Sequence, residues 1–261
     1  IPLPQSVITQ TPKGMSTDGT DFFMVIEASP KDYVAKVDTS GNLVTAFGSD
    51  GYVQVPTDEV NAIAYHDGAI YVGVMVAGNC NPNCDGSGKI SKLNASTGVE
   101  ESNFTLNTGG CQQGCVNELP AMASYGDNLY IVGAESGMYG GQPKVFKVDP
   151  DNSSQVDTMY VNGANGASSF IYISDKFVLL DGNSIKQFEE DYGNLNQTGQ
   201  PAMLNGVTNV TGTAYIGTTL YLADSSGTVK GTTLPTNIPE LTIVGSYAST
   251  LKTVASGTQV T

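Results

Sequence analysis

The chain has 261 residues and a mass of 27.2 kDa, enough for one large all-β domain or two small ones. A monomer of this size buries about 70% of the surface its unfolded form exposes, so a real core is available. It carries 25 Asp and Glu against 11 Lys, with no Arg, one His and no Trp, for a net charge of −14. That balance excludes nucleic acid and anionic membranes, which are bound by neutralising phosphates with Lys or Arg. Bidentate Arg clamps are excluded outright, and a single His removes His-rich metal sites and most His-based triads. No apolar run reaches the ~18 residues that a membrane span needs.

In chain order, Ile1–Thr11 is Pro-spaced and extended, with Ile1, Leu3 and Val7 as its apolar positions. A start at Ile rather than Met reads as a mature product after signal-peptide removal. The abundance of Gly, Ser, Thr and Asn, the few charges and the four Cys agree with an extracellular setting.

From there the sequence repeats. Five apolar strands carry an aromatic anchor: Phe23, Tyr71, Tyr130, Phe177 and Tyr221, spaced by 48, 59, 47 and 44 residues. A following strand recurs as Val34-Ala-Lys-Val-Asp, Ile90-Ser-Lys-Leu-Asn and Val145-Phe-Lys-Val-Asp, with looser copies at Ile185 and Val229. These runs are short, β-branched and bounded by Gly, Asn and Asp, which is strand chemistry. No segment sustains a helical period over three turns. A period of 44–59 residues with about four short strands per unit predicts an all-β fold, a β-propeller of four-stranded antiparallel blades. Five blades over residues 12–247 are favoured, with six as the alternative. The chain then forms a single domain whose ends, 1–11 and 248–261, close the propeller or pair with a neighbour. Leu251 and Val254 are the strand-like positions of the tail.

The longest repeat holds an insertion with Cys80 and Cys84, and a later loop holds Cys111 and Cys115. Propeller topology puts loops after second and fourth strands on one face, so the two pairs are expected close together. Disulfides are expected there, with the pairing open; a four-cysteine zinc site is the rival, although its usual C-x2-C spacing is one residue shorter.

The run from Ala35 to Gly51, Ala-Lys-Val-Asp-Thr-Ser-Gly-Asn-Leu-Val-Thr-Ala-Phe-Gly-Ser-Asp-Gly, resembles the delta-60 type of propeller repeat. Val60-Asn-Ala-Ile-Ala-Tyr-His-Asp-Gly-Ala-Ile-Tyr-Val-Gly73 continues as such a unit would. The resemblance implies a secreted or surface propeller; it implies no activity, because propellers host many.

Several residues are site candidates. Asp149, Asp151, Ser153 and Asp157 alternate oxygens in a way that suits Ca²⁺, without the Gly and Glu of an EF-hand. Glu189-Glu-Asp191 reads as a solvated turn, and His66 in Tyr-His-Asp-Gly reads as structural. Lys36, Lys92 and Lys147, at equivalent places, are expected to guard an outer strand edge. Tyr139 is the conspicuous loop aromatic, a contact for ligand or neighbour. Sequons at Asn94, Asn103, Asn152, Asn196 and Asn209 are glycosylation candidates.

No catalytic constellation stands out, so no enzyme is expected. The leading expectation is a non-catalytic extracellular structural protein, a homopolymer that builds a filament or surface layer through its faces and its terminal segments. The alternative is a ligand-binding or adhesive module that takes glycans. A secreted glycoside hydrolase, using two carboxylates, is the second alternative. Apart from Ca²⁺, no cofactor is expected.

Overall fold

Short β-branched runs separated by tight turns can bury two faces only by stacking sheet on sheet, and the chain does so around a ring. The computed structural model describes residues 12–28, 30–56, 59–76, 87–106, 116–135, 143–204, 207, 209–225, 228–233 and 249–251. Blade one comprises β1 (Pro12–Thr17), β2 (Phe22–Ile26), β3 (Tyr33–Val37) and β4 (Tyr52–Gln54). Blade two comprises β5 (Ala62–His66), β6 (Ala69–Val76), β7 (Ser87–Asn94) and β8 (Glu100–Leu106). Blade three comprises β9 (Val116–Tyr125), β10 (Asn128–Glu135), β11 (Lys144–Asp149) and β12 (Ser154–Asn162). Blade four comprises β13 (Ser169–Ile173), β14 (Lys176–Asp181), β15 (Ser184–Asp191) and β16 (Asn194–Met203). Blade five comprises β17 (Val210–Ile216), β18 (Thr219–Asp224), β19 (Val229–Thr233) and β20 (Ser249–Leu251).

Within each blade, neighbouring strands pair antiparallel in chain order. The first strands β1, β5, β9, β13 and β17 lie side by side, and β17 returns to β1 to close the circle. Closure needs a close approach: a methyl on Gly212 would sit 2.7 Å from the Met15 amide nitrogen, so only glycine fits at this point of β17. Blades three and four are joined further out, where Tyr160–Asn162 pair in parallel with Asn194–Asn196 and the Asn162 amide donates to Asn196 Oδ1 at 2.7 Å. No helix among the described residues is long and apolar enough to cross a membrane.

The core is a set of seams between blades. β2 is buried at every position, because alternate side chains serve opposite neighbours. Phe22 and Met24 pack toward Ala214, Ala223 and Val229 of blade five. Phe23 and Val25 pack toward Ile63, Ile70 and Val72 of blade two. Tyr71 and Ile90 meet Leu129, Ile131 and Phe146 of blade three, Tyr130 and Val145 meet Phe177, Leu179 and Phe188 of blade four, and Val178 and Leu180 meet Leu220 and Leu222 of blade five. Each Val, Leu, Ile, Phe or Met among them contributes roughly 1.5–3 kcal/mol by leaving water.

These seams correct the repeat alignment at one place. Phe23, Tyr71, Tyr130 and Tyr221 face one way around the ring, but Phe177 faces back to Tyr130, 4.6 Å between ring centroids. Val178 holds the equivalent position. A shift of a single residue in a strand moves the side chain to the other face.

The phrase Asp38–Gly51 is a compact connection between β3 and β4. Asp38 Oδ1 accepts the amides of Ser40 and Asn42, at 2.9 and 2.8 Å. Phe47 is fully buried and meets Phe23 edge-on at 5.8 Å, so the phrase plugs the seam between blades one and two.

Two further expectations are corrected. Lys36, Lys92 and Lys147 lie on third strands that are paired on both sides, so they guard no edge. The expected disulfides are not found: none occurs among the described residues, and Cys80, Cys84, Cys111 and Cys115 all lie outside them.

Candidate functional site

The central channel is pinched in the middle by Met15, Ile63, Met122 and Phe170, where only about 10 Å³ remains open. This separates two mouths with different chemistry.

The mouth at the starts of the first strands encloses about 420 Å³ and is lined by Lys13, Glu27, Glu59, Asn61 and Glu118 among others. Lys13 Nζ lies 3.3 Å from Glu59 and 3.6 Å from both Glu27 and Asp32. Burial works to lower the Lys13 pKa, but Asp32, Glu27 and Glu59 outweigh it and hold the ammonium above its ordinary value. Asp32 is only 1% exposed and accepts the amides of Ala28 and Val60, at 3.0 and 2.8 Å. It fastens the β2–β3 loop to the β4–β5 loop, so Lys13 and the carboxylates at this end are largely spent on one another.

The opposite mouth opens where the first strands end. Ser16, Tyr65, Ser124, Tyr172 and Tyr215 line a space of about 170 Å³ there. Ser16 Oγ accepts the Tyr65 amide at 2.8 Å, and Ser124 Oγ lies 2.8 Å from His66 Nδ1. His66 also meets Tyr71 edge-on at 6.2 Å.

Tyr172 belongs as well to a larger groove of about 550 Å³ that runs outward between blades three and four. Its floor is a stacked pair, Tyr125 and Tyr172, with ring centroids 3.6 Å apart and planes 22° from parallel. Phe177 supports both rings, at 6.0 and 4.9 Å. Burial pushes the Tyr172 hydroxyl well up, and the Tyr125 hydrogen bond and Asp175 add to the shift, so this phenol stays neutral. Tyr125 remains 43% exposed.

Glu189, Glu190, Asp191, Asp175 and Tyr192 form the wall. Lys176 pairs with Glu189 at 2.9 Å and Lys147 with Glu190 at 3.8 Å. Asp175 and Asp191 have no ion-pair partner among the described residues. Tyr192 is 97% exposed and holds φ at +47°, beside Gly193 at +72°. A turn with both central residues left-handed prefers Asn-Gly; a tyrosine at the first position is strained. The groove thus joins an aromatic floor to a carboxylate wall whose charge is half compensated.

Of the residues singled out from sequence, Glu189–Asp191 lie in this groove. The suggested calcium ligands do not converge. Asp149 Oδ1 accepts the amides of Asp151 and Asn152 and its Oδ2 the Asn152 side chain, so its carboxylate is spent on its own turn. Asp157 accepts the Thr158 amide, and no cluster of three or more metal-ligating side chains occurs among the described residues. The sequon residues Asn94, Asn103 and Asn152 donate their side-chain amides to Glu101, Glu100 and Asp149. Asn196 is paired with Asn162, and Asn209 is left-handed with φ +54°. Leu251 ends β20, its backbone opposite Val229. Ile1, Leu3, Val7, Tyr139 and Val254 lie outside the described residues.

Tyr125, Tyr172 and Tyr192 escaped sequence reasoning, although a signal existed. Tyr65, Tyr125, Tyr172 and Tyr215 all fall one or two residues before the first hairpin turn of their blade, which places them at one end of the ring.

No protein-family model matches the chain, and no curated protein does. Solved structures are similar to it at fold level. A glutaminyl cyclase from Myxococcus xanthus is 16% identical with a TM-score of 0.47, over 66% of this chain and 64% of that one. A chain of a mitotic checkpoint complex is 15% identical with a TM-score of 0.47, over 84% and 62%. The WD40 β-propeller domain of Doa1 is 10% identical with a TM-score of 0.43, over 92% and 68%. The chain therefore spans less than two thirds of the length of the first two.

Proposed function

We propose that this protein is a non-catalytic, extracellular binding module, a ligand-binding or adhesive propeller whose recognition surface is the tyrosine-lined mouth and its groove. The observation that carries this reading is the exposed Tyr125–Tyr172 stack flooring a cavity of about 550 Å³ beside four carboxylates. Flat rings ringed by hydrogen-bonding groups are a common platform for ligands, because the ring faces desolvate readily while the rim gives orientation. Strain at Tyr192, fully exposed, supports the same reading: a residue that weakens its own turn fits one retained for contact. Composition supports the extracellular placement, and kinship with delta-60 repeats rests on the blade-one phrase.

Self-assembly into a filament or surface layer has less support. Its terminal and loop positions lie outside the described residues, apart from the backbone of Leu251.

The test is ligand screening on the folded chain. With no Trp, emission comes from 13 Tyr, three of which (Tyr125, Tyr172 and Tyr192) line the groove, so a change is assigned to the groove by its loss in Tyr125→Leu. Screening a glycan and peptide array, then titrating hits by fluorescence, should yield a ligand whose binding is lost in Tyr125→Leu and kept in a Tyr33→Phe control. Hits insensitive to Tyr125→Leu would move the site elsewhere, and an array without hits would defeat the reading.

A further inference from the structure

Among the described residues, four aromatic rings carry a lysine of the chain itself: Phe23 under Lys36 at 4.8 Å, Tyr71 under Lys92 at 5.7 Å, Tyr130 under Lys147 at 5.4 Å and Tyr160 under Lys144 at 5.8 Å. The Tyr125–Tyr172 stack, beside four carboxylates, carries none. We infer that the groove between blades three and four binds a lysine side chain presented by a basic peptide segment of a partner protein. This rests on the reading of the protein as a binding module and names its ligand class.

The argument is one of charge and shape. A cation over a tyrosine face is attracted by the ring quadrupole, and more strongly where water is excluded. Tyr125, stacked on one side and 43% exposed, leaves ring surface for such a contact; Asp175 and Asp191 offer carboxylates that no lysine of the described chain neutralises. Glu189 and Glu190 already hold Lys176 and Lys147, so the groove shows that ammonium groups settle on this wall. About 550 Å³ exceeds the needs of one ammonium head and suits a side chain with its flanking backbone. Tyr192, standing free on the β15–β16 turn, is placed to close over the alkyl stem. The chain's net charge of −14 draws a basic partner in from a distance but gives no site selectivity; selectivity must come from the rings.

The test uses the whole chain and two end-blocked pentapeptides, Gly-Gly-Lys-Gly-Gly and its neutral counterpart with norleucine for lysine, followed by saturation-transfer NMR and tyrosine fluorescence at 0.15 M and 0.5 M salt. The expected result is binding of the lysine peptide about tenfold or more above the norleucine peptide. Tyr125→Leu should abolish that preference, and Asp191→Asn should reduce it and flatten its salt dependence. Asp191 is on the surface, so this second variant remains informative if Tyr125→Leu fails to fold. Asp38→Asn, the same charge change on a distant turn, should have no effect. Equal binding of both peptides, or equal losses in Asp38→Asn and Asp191→Asn, would overturn the inference in favour of diffuse attraction. If neither peptide binds while a neutral glycan perturbs the groove, the ligand class is wrong and the binding-module reading stands. If neither does, both fall.

Discussion

Blades one to three and blade four use the same kinds of side chain to opposite ends. In the first three, a ring on the second strand lies opposite a lysine on the third: Phe23 with Lys36, Tyr71 with Lys92, Tyr130 with Lys147. Each pair is internal, completed within its own blade. In blade four the corresponding residues are Val178 and Gln187, and the aromatic content sits one position earlier, at Tyr172 and Phe177. The rings there turn toward blade three and the channel mouth, and among the described residues no lysine covers the stack they form with Tyr125. An aromatic–cation pair that the chain completes is architecture; the one left half made beside spare carboxylates is where the proposed ligand is assigned.

The largest effect should come from breaking a completed pair. Lys36 Nζ lies 3.0 Å from Asp18 and 3.3 Å from Asp21, all three largely buried. Lys36→Met keeps the stem over Phe23 and removes the charge, leaving two half-hidden carboxylates without a cation. A loss of about 2 kcal/mol is expected, read from the urea midpoint at constant slope. Lys147→Met should cost about 1 kcal/mol, since its Glu190 contact is longer, at 3.8 Å, and more exposed. Equal losses would mean that the blade-one pair is no more integral than the others.

The completed pairs should also show in the pH limits of stability. Burial holds the phenols of Tyr71 and Tyr130 above the ordinary 10.0 despite their lysines. The hydrogen bond that Lys92 donates to the Tyr71 hydroxyl raises Lys92; burial lowers Lys147, but Tyr130 and Glu190 reverse it. Groups raised on folding give stability that is complete below the unfolded pKa and is lost as pH climbs through the folded one. Stability should therefore fall above about pH 10, and Tyr71→Phe with Tyr130→Phe should flatten that fall. On the acid side, burial alone would raise Asp18, but the Asp21 and Thr20 amides and Lys36 hold it below 3.8. Its contribution is present above that value and is lost as pH drops through the lowered one, and Lys36→Met should make the acid limb shallower. Unchanged limbs in these variants would show that the pairs do not set the pH range.

The contrast between the blades also marks what the sequence makes legible. The ring of blades is readable because each unit repeats an aromatic anchor, a β-branched strand and an Asp or Gly turn, and these obey local rules. Phe177 shows where that reading slips. The repeat of Phe or Tyr at a near-constant interval suggests equivalence, yet strand geometry distinguishes neighbours by face, and only the pairing of Tyr172 with Phe177 fixes which. The lysines suggest edge guards only if their strand is outermost; the edge is one strand further out. The groove was hidden for a different reason. Tyr125 and Glu189–Asp191 are 64 residues apart at the nearer end and meet only because β9 and β13 are neighbours in the ring.

A smaller effect is expected from the uncompleted pair. Tyr125→Leu removes a stacked ring that is 43% exposed, which should cost about 1 kcal/mol. Its loss of stability should be half or less of that in Lys36→Met while its loss of ligand binding is complete. The reverse ranking, measured on the same samples, would make the stack structural and erase the contrast.

The smallest change sharpens the comparison most. Tyr192 occupies the first central position of the β15–β16 turn, where φ of +47° suits asparagine, and its ring touches solvent almost everywhere. Tyr192→Asn replaces a strained residue by one at home in that conformation without emptying any core space. The folded state should gain about 0.5–1 kcal/mol, visible as a higher urea midpoint. Binding in the groove should weaken at the same time, because the residue proposed to close over the ligand is gone. Stability and binding then move in opposite directions at one position, which no purely structural residue does. Lys36 supplies the counterpart: Lys36→Met should lower stability and leave groove binding untouched, since its pair is completed inside blade one. If Tyr192→Asn instead lowers stability, the tyrosine is packed rather than poised, and the turn belongs with the architecture of blades one to three.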